Sequence, residues 1–260
     1  MPQKNHTNKA TCRKRSNLLN IDDFLNLVHT RRSIRRFKSD PVPAELLEKI
    51  LEAGRWAMSG ANAQPWEFVV VQDAATRAGI ADSWLKPNHE AYVIEQMRVP
   101  EIRHHHLRTP LTIPSFQDAP VIIVVLGDRR TYQATVLGAN FLVTEGAADA
   151  IYLKNMANAT QMLHLAAAAA GLSSEWVSVN RLWGQALKRI LDIPEILEVH
   201  TLAVIGYPAY QPMPPYRRAL TDIVHHDKYE RNKYRSGEDI YKYLVTLRQN
   251  TEPPYRQGLP

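Results

Sequence analysis

With 260 residues, 45% hydrophobic and 22% charged, the chain has the size and composition of a globular protein with a substantial core. Its formal charge of +6 raises nucleic acid as a partner, but Lys4, Lys9, Arg13, Lys14 and Arg15 all precede the first acidic residue, Asp22. The excess sits in a polar tail, residues 1–18, expected to be disordered, and the nearly balanced remainder argues for no nucleic-acid partner. Cys12 is the only cysteine, which excludes an internal disulfide and a Cys-rich zinc site.

From Asn20, the residues Ile21, Phe24, Leu25 and Val28 recur at helical spacing, with Asp22 and Asp23 in the first turn where the helix dipole favours acids. The helix runs into Arg31-Arg32-Ser33-Ile34-Arg35-Arg36-Phe37. After a turn at 39–43, with Pro43 suited to a first helical position, Leu46, Leu47, Ile50, Leu51 and Ala57 form an apolar stripe that stops near Met58-Ser59-Gly60. A polar loop, Ser59 to Gln64, leads through Pro65 to a predicted strand, Trp66 to Val71. Asp73 is placed to cap a short helix, Ala74 to Ala81. Residues 84–118, with Pro87, Pro100, Pro110 and Pro114, are expected to be irregular and to form a lid or substrate region.

Val121 to Leu126, ended by Gly127, has the continuous apolar character of a central strand. A long helix is predicted from about Thr144 to Ala170, with Gly171 as its stop. Its most apolar part, Met162 to Leu172, is too short to cross a bilayer and contains His164, so no membrane association is expected. Basic residues at the amino terminus are not followed by the apolar core of a signal peptide, and a reducing, cytoplasmic location is the default expectation. The predicted elements continue with a strand at Glu175 to Val179, a helix at Leu182 to Leu191, a strand at His200 to Ile205 and a last helix at about Gly237 to Arg248. Helices and strands alternate, so the class is α/β or α+β.

The eleven glycines are widely spaced, which removes the glycine-rich dinucleotide and phosphate loops; GxSxG and HExxH are absent as well. The run His104-His105-His106 is weak evidence for a metal, because three adjacent side chains converge poorly on one ion. What remains suits a flat, phosphorylated cofactor. Arginine binds phosphate oxygens in pairs, and Arg217-Arg218 offers a second clamp far from the first. The loop Ser59-Gly60-Ala61-Asn62-Ala63-Gln64 has small and amide residues that can lie close to a ring and pair with its edge.

RRSIRRF, followed by PVPAELLEKILEAGRWAMSGANAQPWEFVVV, resembles the opening of the FMN-dependent nitroreductase family. The alanine-rich helix ending in Gly171-Leu172, then SSEWVSV, Gly206-Tyr207-Pro208 and YRRALTDIV extend the likeness to about His225. The resemblance implies an α+β nitroreductase-like fold, a central mostly antiparallel sheet flanked by helices, in an intertwined homodimer with FMN in the interface. It implies an FMN-binding domain over residues 19–226 and a carboxyl-terminal extension, 227–260, packing on the dimer. It assigns the FMN phosphate to Arg31, Arg32, Ser33, Arg35 and Arg217, leaving Arg36 as a surface or ion-paired residue. Met58, Ser59, Asn62 and Gln64 would contribute from the partner subunit, with Met58 standing where the family has proline. Trp176, Val177, Ser178 and Val179 would pass beside the flavin ring, with Ser178 near N5.

The implied activity is ping-pong electron transfer from NAD(P)H to a small acceptor such as a nitroaromatic or quinone. A hydroxyl at Ser178 instead suits members with one-electron, dehalogenating or dehydrogenating chemistry. The dehalogenating branch grips its substrate with a Glu-Tyr-Lys set on a lid; Glu90, Tyr92 and Glu95 sit in the lid region here, but no lysine stands at the matching spacing. The flavin-degrading branch carries an aspartate where this chain has Ser33. A non-enzymatic flavin- or nucleic-acid-binding protein is the further alternative raised by the tail.

Overall fold

A computed structural model describes residues 20–104, 107, 110, 113–131 and 147–249; segment 1–18, His105, His106 and residues from 250 onward lie outside these. Four β-rich runs form one sheet: β1 (Trp66–Val71), β2 (Val121–Gly127), β3 (Ser173–Ser178) and β4 (Glu198–Gly206). Their order is β1-β2-β4-β3 and every neighbouring pair is antiparallel. The expected antiparallel sheet flanked by helices is present.

The alternation of strand side chains divides the core into two halves. Val121, Ile123 and Val125 of β2, with Ala203 and Ile205 of β4, pack under α2 (Ala44–Arg55) and α4 (Ala147–Ala169). Ile122, Val124 and Leu126, with Leu202 and Val204, pack under α3 (Ala74–Gln96) and α5 (Arg181–Leu191). Both faces being covered, all of β2 is buried, and each such alkyl side chain contributes about 1.5–3 kcal/mol relative to exposure.

Several helix ends differ from expectation. Asn20 caps α1 (Ile21–Thr30) by accepting the Asp22 N–H at 3.1 Å. Pro43 is the N-cap of α2 and not its first residue, and that helix ends at Arg55, before Met58. The predicted start of α4 at Thr144 lies outside the described residues.

The largest correction concerns α3, which continues from Ala74 through Pro87 to Gln96 where a short helix and an irregular segment were expected. A proline inside a helix removes the bond to the carbonyl four residues earlier, here that of Ser83. Tertiary packing compensates at that turn. The Ser83 hydroxyl donates to the Ile80 carbonyl at 2.7 Å and accepts from Trp183 Nε1 of α5 at 2.8 Å. Phe116 is buried between Trp84 and Trp183, with ring centroids 5.9 and 6.3 Å away. Part of the expected lid is therefore core.

Two peripheral helices complete the chain. α6 (Gly237–Gln249) lies near its end, with Tyr243 tilted against Tyr216 at 6.2 Å. α1 buries no residue, and Ile21, Phe24, Leu25 and Val28 stand exposed on it.

Candidate functional site

The arginine-rich segment is pinned to the sheet, which decides where its side chains go. Ser33 forms a bridge to Ser174, and the Ile34 N–H donates to the Ser174 carbonyl at 3.1 Å. Farther on, Lys38 N–H donates to Tyr207 O at 2.9 Å and Ala209 N–H to Arg36 O at 3.1 Å. Buried Ile34 and Phe37 act as apolar pegs, leaving the arginines toward the surface.

Arg31 is half-buried, and its proton affinity is lowered by burial and then by the nearby charges of Arg217 and Arg32. Two residues far apart in sequence are thus neighbours in space. Among the described residues none of these three arginines pairs with a carboxylate. Arg32 donates to the carbonyls of His29 and Arg31, so it also closes the carboxyl end of α1. Ser33 is exposed beside them. A partly desolvated group of cations without counter-charge is suited to an anion.

Arg35 is turned elsewhere. Its Nε lies 3.2 Å from Glu175 Oε1, and the Ser115 hydroxyl is shared between the two Glu175 oxygens, 2.9 Å from each. Glu175 is only 5% exposed, and burial pushes its carboxyl up to about 7 against the opposing pull of Arg35 and Ser115. The Arg35 N–H donates to the Tyr210 hydroxyl at 3.2 Å. Arg36 is ion-paired, 3.9 Å from Asp118, as its place outside the phosphate set implied.

Beside the Arg35–Glu175 pair is a cavity of about 240 Å³ whose walls include Trp84 and Asn88 of α3 and Glu175, Trp176 and Ser178 of β3. The side-chain nitrogen of Asn88 is buried without a hydrogen-bond partner. An orphaned donor in the wall of a polar cavity suits a ligand that brings an acceptor.

β3 is an edge strand, and its alternation separates the functional side chains. Val177 points into the core and its carbonyl accepts the Thr201 hydroxyl at 2.8 Å. Trp176 is 37% exposed and is backed by two imidazoles, His164 at 5.7 Å and His200 at 6.1 Å between centroids. Nδ1 of His164 is 2.7 Å from Ser174 Oγ. Burial, helped by the charge of Arg31, brings the His164 pKa down to about 4, so the ring is neutral at physiological pH. Val179 is half-buried just before Asn180, which caps α5 by accepting the Trp183 N–H at 2.8 Å.

The loop before β1 is held in a costly conformation. Ala61, Asn62 and Gln64 all have positive φ, at 52°, 53° and 47°. Such residues cost of order 1 kcal/mol each and persist only where the surroundings impose them. α4 does so here: Asn155 Oδ1 accepts the Gly60 N–H and Asn158 Nδ2 donates to the Met58 carbonyl, both at 3.1 Å. Gln64 N–H donates to Ser59 Oγ at 3.1 Å, and Met58 is 81% exposed. None of Met58, Ser59, Asn62 and Gln64 lines the cavity of their own chain.

The fold therefore brings together Arg31, Arg32 and Arg217, and separately Arg35, Trp176, Val177 and Ser178. Asn88, His164 and Glu175 were not identified as site residues from sequence. A single carboxylate within the strand run SSEWVSV is the signal by which sequence could single out Glu175. Glu95 of the expected lid set is buried, pairs with Arg98 at 3.1 Å and accepts the His104 N–H at 2.7 Å, so it serves the structure. Among the described residues no three His, Cys, Asp or Glu side chains cluster as a metal site, and no helix is long and apolar enough to cross a membrane.

Residues 28–207 match the Nitroreductase family. The chain belongs to that family. It is 31% identical over 193 residues to the 5,6-dimethylbenzimidazole synthase of Rhodospirillum rubrum, covering 74% of this chain and 85% of that one. It is 31% identical over 195 residues to an NADH dehydrogenase of Thermus thermophilus, covering 75% and 91%. In three dimensions it resembles an oxidised iodotyrosine deiodinase bound to FMN and 3-iodo-L-tyrosine, with a TM-score of 0.61 at 21% identity, over 79% of this chain and all of the other. Nitroreductase-family membership thus spans relatives with different reactions.

Proposed function

We propose that this nitroreductase-family protein is an FMN-dependent oxidoreductase that passes electrons from NAD(P)H to small acceptors such as nitroaromatics or quinones by a ping-pong cycle. The observation that carries this reading is the unneutralised group of Arg31, Arg32 and Arg217 next to an edge strand that bears Trp176 and Ser178. The residues present fit the cofactor: cations without counter-charge for a phosphate, and the orphaned amide of Asn88 for a carbonyl on the ring. When bound, FMN supplies acceptance and release of electrons at its ring.

This chain's own residues bind and orient. Arg31, Arg32, Ser33 and Arg217 hold the phosphate, with Arg35 nearer the ring. Trp176, Val177, Ser178 and Val179 border the ring, and the strained loop of Met58, Ser59, Asn62 and Gln64 serves the site of a second subunit. Trp84 and the segment that follows shape the acceptor space. No side chain acts as a nucleophile.

Arg31→Ala and Arg217→Ala test the reading. Each removes a charge-assisted contact, so FMN affinity should fall about ten- to a hundredfold while the protein stays folded. Circular dichroism and flavin fluorescence quenching measure the two properties. A wild-type chain that takes up no FMN, or variants with undiminished affinity, would overturn it. Turnover with NADH and NADPH against an acceptor panel then tests the reaction.

The exposed hydroxyl of Ser178 in the cavity wall favours one second reading, a specialised flavin reaction of the one-electron or dehalogenating kind. Anaerobic reductive titration separates the two: a stable one-electron state that is lost in Ser178→Ala supports the second.

A further inference from the structure

Glu175 is a buried ionisable group in the wall of the cavity that the proposed cycle leaves unused. We propose that Glu175 is a proton-holding residue, coupled through Arg35 to the bound ring, that takes up one proton as the ring is reduced. The inference rests on the FMN reading above and deepens it.

The geometry couples three things. Glu175 and Arg35 are in contact at 3.2 Å, and both line the cavity that Trp176 and Ser178 border. Arg35 therefore touches both the carboxylate and the cavity. The other groups that face Glu175 are few. Ser115, from the segment before β2, donates to it; Arg36 contributes a weaker positive charge that Asp118 partly offsets; Tyr210, beyond β4, holds the backbone of Arg35. α3 presents neutral Trp84 and Asn88, and the charge of Arg35 also reaches His104. Among the described residues no second cation lies as close to Glu175 as Arg35.

The charge balance follows. Hydride from NAD(P)H brings one proton and two electrons, so the site gains one negative charge. Arg35 is drawn toward that charge and stabilises the Glu175 carboxylate less. Glu175, already poised by burial at about 7, then binds one proton from solvent and the net charge of the site is restored. Two electrons enter with two protons, the second resting on Glu175. Below about pH 7 the carboxyl is protonated in both redox states and takes up nothing further.

The test is the midpoint potential of FMN-loaded protein, followed from about pH 5.5 to 8.5 in wild type and Glu175→Gln. One extra proton per two electrons adds about 30 mV per pH unit to the slope. Above about pH 7 the wild-type potential should fall more steeply than that of the variant by this amount, and the two curves should converge in acid. Parallel curves across the range would overturn the proposal. If Glu175→Gln does not hold flavin, Ser115→Ala replaces it. Loss of that hydroxyl favours the neutral carboxyl, so the steep region should begin at higher pH, and an unmoved onset overturns the proposal. Reduced-minus-oxidised infrared spectra of the wild type should show a protonated carboxyl appearing on reduction above pH 7; its absence is equally decisive. A chain that binds no FMN fails the functional reading itself, whereas bound flavin with an unaltered slope fails only this inference.

Discussion

His164 and Glu175 lose water to a similar extent and shift in opposite directions, because burial disfavours the charged form of each. For His164 the folded pKa of about 4 lies below the ordinary 6.5, so between these values the unfolded chain binds more protons. Its contribution to stability is present above pH 6.5 and is lost as pH falls toward 4, reaching about 3 kcal/mol. Urea unfolding of flavin-free protein should show wild type losing more stability than His164→Gln between pH 7 and 4.5; parallel losses would refute it. Glu175 has the reverse sign, with stability greatest below its ordinary pKa of 4.5 and lost as pH rises through about 7. These two residues were hard to find from sequence for a physical reason. A histidine in an alanine-rich helix and a glutamate in a strand declare their burial only once the neighbouring elements are placed. Arg31 and Arg217 were legible because clustered arginine is chemically unusual whatever surrounds it.

At the scale of elements, β1 and β2 were readable from short β-branched runs, and α2 from one apolar stripe. α3 was readable only over Ala74 to Ala81 with its Asp73 cap; beyond that its buried positions, Asn88 and Glu95, are polar and it contains Pro87, so no apolar stripe marks it out. Its identity as a helix depends on α5, which covers it. The crossing of α2 over α4 is equally a matter of context. A Cβ at Gly54 would stand 2.6 Å from Leu163 Cδ2 and 3.2 Å from Phe68 Cζ, and Leu163 is fully buried. Gly54→Ala should therefore force the helices apart and cost about 1–3 kcal/mol, read as a lower urea midpoint with an unchanged slope. The same packing supports the Asn155 and Asn158 side chains that hold the strained loop, so the variant should also weaken FMN binding.

The whole molecule presents a helix without an inside. α1 offers Ile21, Phe24, Leu25 and Val28 to its surroundings, and Trp56 and Met58, just after α2, are exposed as well. In the homodimer we propose, these surfaces are covered and the loop of Ser59 and Gln64 reaches a second FMN site. Phe24→Asp combined with Val28→Asp should give a monomer by light scattering that no longer retains FMN. A dimer with normal flavin content would show that α1 lies elsewhere.

The sheet order also has a consequence for how the chain is made. β4 lies between β2 and β3, although it is the last of the four strands to be synthesised. Until it emerges, β3 can pair only through the Ser33–Ser174 bridge, and Arg217 follows later still. Pairings between such distant segments are slow to form and leave apolar strands open to other chains meanwhile. The nascent chain thus commits to its sheet only once β4 has emerged, and the phosphate site of the proposed FMN complex is complete only after Arg217 has followed.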